Sequence, residues 1–173
     1  RAARRDSELH DRDRAGVACQ DRCRVLDHRV DGPEHLDLGR LVLDDRFDHE
    51  VTVGDLRTDA AEALLQRLGA QRRVVRVDVE EPASLATALA DSDVVLNATY
   101  MRHNVGVTDA AIAAGVHLVD LGSYYPETLQ QLDRHETAVA AGCRIVPGCG
   151  VAPGLTNILA KLGADALDTV RSV

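Results

Sequence analysis

The 173-residue sequence predicts an α/β fold, a doubly wound parallel sheet of the Rossmann-like kind. Three observations carry this expectation. Short β-branched runs recur at Val51–Val53, Val74–Val79, Val94–Ala98, His117–Leu121 and Arg144–Val146. Their starts lie 23, 20, 23 and 27 residues apart, the spacing of successive strand–helix units. The runs are nearly all apolar, as strands must be when both sheet faces are covered.

Residues 1–40 stand apart from this pattern. They hold 9 Arg and 9 acidic residues, and their apolar residues (Val17, Val25, Leu26, Val30, Leu36, Leu38) keep no helical or alternating period. Such a stretch buries little, so conformational entropy favours poor order. An aperiodic Arg/Asp/His-rich composition is also what an out-of-frame reading of GC-rich DNA produces. A dinucleotide-binding domain opens with a strand, a G-x-G-x-x-G turn and a helix, about 20 residues before a ribose-binding acid. Counting back from Asp55 puts that turn at residues 27–35, where Gly32 is the one glycine and Pro33 removes an amide. The first strand and glycine-rich loop are therefore expected to be missing. Leu36–Phe47 reads as a remnant of the first helix, and residues 41–173 as a partial dinucleotide-binding domain.

The helices follow in order. Thr58 can cap a helix to Leu68 with Ala61, Leu64 and Leu65 on its apolar face and Gly69 as its stop. Pro82 suits the first turn of a helix bearing Leu85, Ala86 and Leu89. Asn104–Ala114 presents Val107, Ala110, Ala111 and Ala114 before Gly115. Glu127–Ala141 presents Leu129, Leu132, Ala138 and Val139 before Gly142, and Leu155–Leu162 forms a last apolar helix.

Composition narrows the function. The formal net charge is −8 and aromatics are 2%, which argues against a phosphate-backbone binder and a base-stacking platform. No stretch approaches the length of a membrane span, and no apolar leader is visible at the start. Four cysteines make no disulfide framework, so a reducing, cytoplasmic setting is expected. Cys19 and Cys23, with His10, His28 and His35 irregularly spaced nearby, lack zinc-site spacing, and no metal site is expected.

Ligands of a parallel sheet bind beyond the carboxyl ends of its strands, which selects the candidate site. Asp55 can accept the ribose hydroxyls of an adenine dinucleotide and would repel a 2′-phosphate; a turn acid is the competing reading. Asp78 and Val79 fall where the adenine would lie, though Asp78 reads equally as a loop acid. Asn97, Ala98 and Thr99 end the third run with small residues that let a cofactor backbone approach. Tyr100 or His103 can transfer a proton and Arg102 can hold a substrate carboxylate. Asp120 is a candidate general base or a structural cap, beside Gly122, Ser123 and the tyrosine pair Tyr124-Tyr125. Pro147–Gly154 supplies Gly148, Gly150, Pro153 and Gly154 for a tight loop near the nicotinamide or substrate. Within it Cys149 is a nucleophile, a proton donor or an inert small residue, and Cys143 reads as packing.

Residues 51–173 resemble the saccharopine dehydrogenase family, including lysine 6-dehydrogenase-like members. The matching strings are Asp93-Val94-Val95-Leu96-Asn97-Ala98 with Arg102 and Asn104, then Ala113–Gly122, then Ala141-Gly142 and Ile145–Leu155. The resemblance implies an NAD(P)-dependent oxidoreductase acting at a C–N bond of an amino-acid-like substrate. It maps proton transfer onto Asp120 and Cys149, with Tyr100 beside them. Tyr100-Met101 and Gly148 depart from the family's usual Pro-Tyr and Asp. It also implies a second, substrate-binding domain beyond residue 173, so the fragment is expected to be inactive alone. The cofactor is NAD or NADP, with NAD favoured by Asp55. The rival reading is a nucleotide-sensing or non-catalytic Rossmann-like binding domain. Partners are expected to be an amino-acid-like small molecule, with no nucleic acid and no membrane. Oligomeric state stays open, and the sheet edge left by a missing strand would invite self-association such as a homodimer.

Overall fold

The computed structural model describes residues 22–27, 50–68, 72–122 and 124–172. Its strands are β1 (Arg22–Asp27), β2 (Glu50–Asp55), β3 (Arg73–Arg76), β4 (Val94–Ala98), β5 (His117–Asp120) and β6 (Ile145–Val146). They form one sheet in the order β3-β2-β1-β4-β5-β6, and every neighbouring pair is parallel. The chain winds outward from β1 to β3, crosses back to β4, and winds outward again to β6. The crossover creates a topological switch point between β1 and β4.

The first strand, expected to be missing, is present at the centre of the sheet. Cys23 to Leu26 pair with Val51 to Gly54 on one side and with Val94 to Asn97 on the other. The sequence hid it because Arg22-Cys23-Arg24-Val25-Leu26-Asp27 is not the apolar run expected of a strand covered on both faces. Backbone hydrogen bonding to two neighbours defines it instead. No strand is lost from the centre of the sheet, whose edge strands among the described residues are β3 and β6. The proposed turn at 27–35 lies beyond Asp27 outside the described residues, as do the Leu36–Phe47 helix, the Gly69 stop and Cys19.

Among the described residues the helices are α1 (Thr58–Leu68), α2 (Pro82–Leu89), α3 (Asn104–Ala114), α4 (Tyr125–Leu132) and α5 (His135–Ala140), followed after β6 by α6 (Thr156–Asp165). Pro82 opens α2 at its first turn, where the missing amide is harmless. Gly115 closes α3 with φ 72, and its amide reaches back to Ile112 O. The left-handed conformation there is why the helix stops at Ala114-Gly115. Gly142, φ 70, repeats the device after α5.

The core lies between the sheet and α2–α3. Leu89, Val95, Val107 and Leu118 are fully buried there, with Val77 and Leu85 beside them. A smaller cluster of Ile112, Ala138 and Cys143 packs under Ile145, which borders both. Burial pushes the Cys143 thiol above its ordinary pKa, in line with a packing role.

Two helix expectations change. Glu127–Ala141 is not one helix but α4 and α5, broken at Asp133-Arg134. At the break the Arg134 guanidinium forks onto Asp109 of α3, with Nε–Oδ1 at 2.9 Å and Nη2–Oδ2 at 3.2 Å, and Nη1 donates to Gln130 O at 2.7 Å. The Asp109 carboxylate raises the Arg134 pKa further. Of the expected apolar face, Ala138 is buried but Leu129, Leu132 and Val139 are exposed, while Gln131 is 4% exposed. The cause is a set of buried hydrogen bonds described below. The last helix begins after a kinked segment at Val151–Leu155, in which Ala152 is extended (φ −131, ψ 124), and α6 buries none of its residues. Among the described residues no helix is long and apolar enough to cross a membrane.

Leu118 packs in the middle of β5 at 0% exposure. Truncating it, Leu118→Ala, should lower the unfolding free energy by about 3 kcal/mol, read by urea denaturation.

Candidate functional site

Strand register brings the candidate residues to one edge of the sheet. Gly54, Leu26, Asn97 and Asp120 are successive partners across β2, β1, β4 and β5. Asp55 lies one residue further along β2 and hence on the opposite pleat. With strands about 4.8 Å apart, β2 and β5 are separated by roughly 14 Å. The edge therefore has two parts, one around Asp55 and one around Asn97 and Asp120, flanking the switch point.

On the first side, Asp55 is 1% exposed at the end of β2, and its Oδ1 accepts the Arg57 N–H at 2.7 Å. The carboxylate is thus aimed by a two-residue turn that also starts α1. Asp78 Oδ1 accepts the Glu80 N–H at 3.0 Å, and the Asp78 N–H donates to Ser84 Oγ at 2.8 Å. These bonds give Asp78 the local role of a turn acid ahead of α2. Val79 is partly buried against the core.

On the second side, Asn97 and Asn104 lock β4 to α3. The Asn97 Nδ2 donates to Asn104 Oδ1 at 2.9 Å. Asn97 Oδ1 accepts from Thr99 N–H at 3.2 Å and Thr99 Oγ1 at 2.7 Å. All three side chains are buried, so the polar groups satisfy one another. Ala98 between them is half-buried. Gly122 is required here because a Cβ at that position would fall on Asn104 Nδ2.

Asp120 is fully buried, and its carboxylate accepts three hydrogen bonds. Oδ1 takes the Gly122 N–H at 3.0 Å and the Gly148 N–H at 2.9 Å. Oδ2 takes the Gln131 Nε2–H at 2.6 Å. The Cys149 N–H also donates to Asp120 O at 2.7 Å. One acid thereby ties the loops after β5 and β6 to each other and to α4.

The glycines of the 147–154 loop serve this tie. Gly148 has φ 74, a conformation that favours glycine. A Cβ on Gly150 would lie 2.5 Å from Leu121 O, and one on Gly154 would lie 2.6 Å from the Cys149 carbonyl carbon. The close approach expected toward a ligand is, at these two positions, an approach to the chain's own backbone. Pro153 sits in the kinked segment ahead of α6, beside Gly148. Cys149 is a free, exposed thiol.

The 100–104 loop forms a third group. Tyr100 is 46% exposed, and the Arg102 guanidinium lies over its ring at 5.5 Å. Arg102 Nη2 donates to Glu80 Oε1 at 3.4 Å, an exposed and therefore weak pair. His103, the other proton-transfer candidate of this loop, is buried, with Nδ1 3.9 Å from the same Glu80 oxygen. Ser123 lies outside the described residues.

The structure thus joins Asn97, Thr99, Asp120, Gly122 and Gly148 into one bonded group and sets Asp55 with Asp78, and Tyr100 with Arg102, apart from it. Sequence reading missed Gln131, Thr108 and Glu80. Gln131 and Thr108 carried no signal beyond being polar at an inward helical position, which is visible only once the helix face is known.

Two substitutions test this arrangement. Asp120→Ala strips a buried acceptor from three donors and should cost about 3 kcal/mol or more in chemical denaturation. Gly122→Ala should cost about 1–3 kcal/mol, and adding Asn104→Ala should remove part of that cost, a coupling read from a double-mutant cycle.

Comparison with known proteins matches residues 39–146, more than half of the chain, to the model of the saccharopine dehydrogenase NADP binding domain. The fold is similar to apo saccharopine dehydrogenase (L-Glu forming) from Saccharomyces cerevisiae, with TM-score 0.67 and 24% identity over 83% of this chain and 31% of that one. It is also similar to triphenylmethane reductase of Citrobacter sp. complexed with NADP(H), with TM-score 0.51 and 16% identity over 71% of this chain and 48% of that one. Shikimate dehydrogenase of Mycobacterium tuberculosis gives TM-score 0.50 and 20% identity over 76% of this chain and 47% of that one. The chain spans less than half the length of each of these structures. Sequence family and sheet order agree: the chain belongs to the saccharopine dehydrogenase family, as its Rossmann-like NAD(P)-binding domain.

Proposed function

We propose that this chain is the cofactor-binding part of an oxidoreductase of the saccharopine dehydrogenase type, working at a C–N bond of an amino-acid-like substrate. The observation that carries the reading is the placement of Asp55, a buried carboxylate at the end of β2, two strands from the switch point's far side. An acid there accepts from ribose hydroxyls and repels a 2′-phosphate, so the reading favours NAD over NADP. The described residues fit the adenosine end of a dinucleotide; the stretch 27–35, where sequence spacing puts a pyrophosphate-binding turn, has Gly32 as its one glycine and beyond Asp27 lies outside the described residues.

The cofactor, when bound, supplies or accepts the hydride. The chain's own groups do the rest. Asp55 orients the adenosine ribose. Ala98, with no side chain beyond Cβ, leaves room at the edge between β1 and β4. Arg102 offers its guanidinium to a substrate carboxylate in exchange for Glu80. Cys149 and Tyr100, both accessible, are the groups placed to pass a proton. Asp120, fully buried with three donors on it, serves better as an anchor than as a base. Hydride transfer and the substrate belong, in this reading, to the longer protein of which this domain is a part.

Calorimetric titration of the chain with NADH and NADPH tests the proposal. Both should bind, NADH more tightly. Asp55→Ala should weaken NADH about tenfold, or 1.4 kcal/mol, and NADPH much less. Absence of binding by either dinucleotide overturns the reading.

A further inference from the structure

We propose that Gln131 is a positioning residue for this site: acting through Asp120, it fixes the loops after β5 and β6 at the crevice edge. The inference rests on the reading of that edge as the cofactor site, and its test separates the two. Gln131 is buried on α4, a helix that leaves Leu129 and Leu132 exposed. Its Nε2 makes two hydrogen bonds, one to Asp120 Oδ2 at 2.6 Å and one to Thr108 Oγ1 at 2.9 Å. Thr108 in turn donates to Asn104 O at 2.7 Å, and Asn104 holds Asn97. Among the described residues, Gln131 Oε1 has no hydrogen-bond partner.

A leucine facing inward at this position would bury more apolar surface and leave no carbonyl unsatisfied. What the glutamine supplies, and a leucine cannot, is a donor to the acid that holds Gly122 and Gly148. With Oδ2 fixed from α4, the carboxylate plane is set, and Oδ1 is aimed between the two glycine amides. The position of both loops then depends on a side chain that does not itself lie in either of them. The bonds run unbroken from the end of β4 through α3 and α4 to the ends of β5 and β6.

Two variants of similar length test this. Gln131→Met removes the donor. Gln131→Glu restores it when the new carboxyl is protonated, and opposes two carboxylates when it is not. The other charged or titratable groups near this position are Glu127, one turn earlier on α4 with Oε2 buried, Arg134, paired with Asp109, and His135, Cys143 and Arg144, which with Gln131 line a cavity of about 300 Å³. His135→Asn in every background keeps imidazole titration out of the profile. The readout is amide hydrogen exchange followed by NMR on the unliganded chain, corrected for intrinsic rates, with Val95 in β4 as the control. Gly122 and Gly148 should lose protection at least tenfold in the Met variant at every pH. In the Glu variant protection should persist at low pH and fall as the carboxyl pair ionises. Unchanged protection in the Met variant, or a pH-independent Glu variant, overturns the inference. NADH and NADPH titration of the wild-type chain judges the cofactor reading separately, because the exchange measurement needs no ligand.

Discussion

The architecture of the site depends on one buried carboxylate. Asp120 terminates β5 with no solvent exposure and receives donors from three directions: its own loop, the loop after β6, and α4. An acid in that position is tolerated because hydrogen bonds replace the water it has lost. The consequences reach outward. Gln131 must face inward, so α4 turns its leucines to solvent. The 147–150 loop is drawn against β5, so Gly150 has no room for a Cβ. The neighbouring Asn97–Asn104 pair leaves Gly122 no room either.

The same constraint sorts the roles at the crevice. Groups used to build the edge are buried and saturated with bonds: Asp120, Asn97, Asn104 and Thr99. Groups that remain accessible are Tyr100, Arg102 and Cys149. Asp55 falls between these classes, being buried yet placed at a strand end where an α/β sheet receives a nucleotide. A parallel sheet supplies the edge, polar ties shape it, and few side chains are left over for chemistry.

Much of the fold was legible in the residues. Thr58–Leu68 and Asn104–Ala114 were bounded correctly, the second with Gly115 as its stop, and Val94–Ala98 by its apolar run. Those signals are local and survive without knowledge of neighbours. The strand at Arg22–Asp27 was not legible, because its charged composition contradicts the pattern of a central strand. The break between α4 and α5 was missed because Arg134 answers to Asp109, 25 residues away. Candidate site residues were found by where strands end, which chooses positions well. Their roles were harder, as Asp120 shows: a strand-end acid reads as a base or as a cap, and its three donors come from residues the sequence does not link to it.

The sequence alone determined the alternation of strands and helices, the family to which the chain is similar, and the short list of strand-end residues. Each is encoded in periodicity or in contiguous strings. Tertiary structure decided the strand order with β1 at its centre, the inward face of α4, and the use of Asp120 as an anchor. Those depend on hydrogen bonds between residues distant in the chain, and a one-dimensional pattern of apolar and polar residues does not say which polar group will meet which.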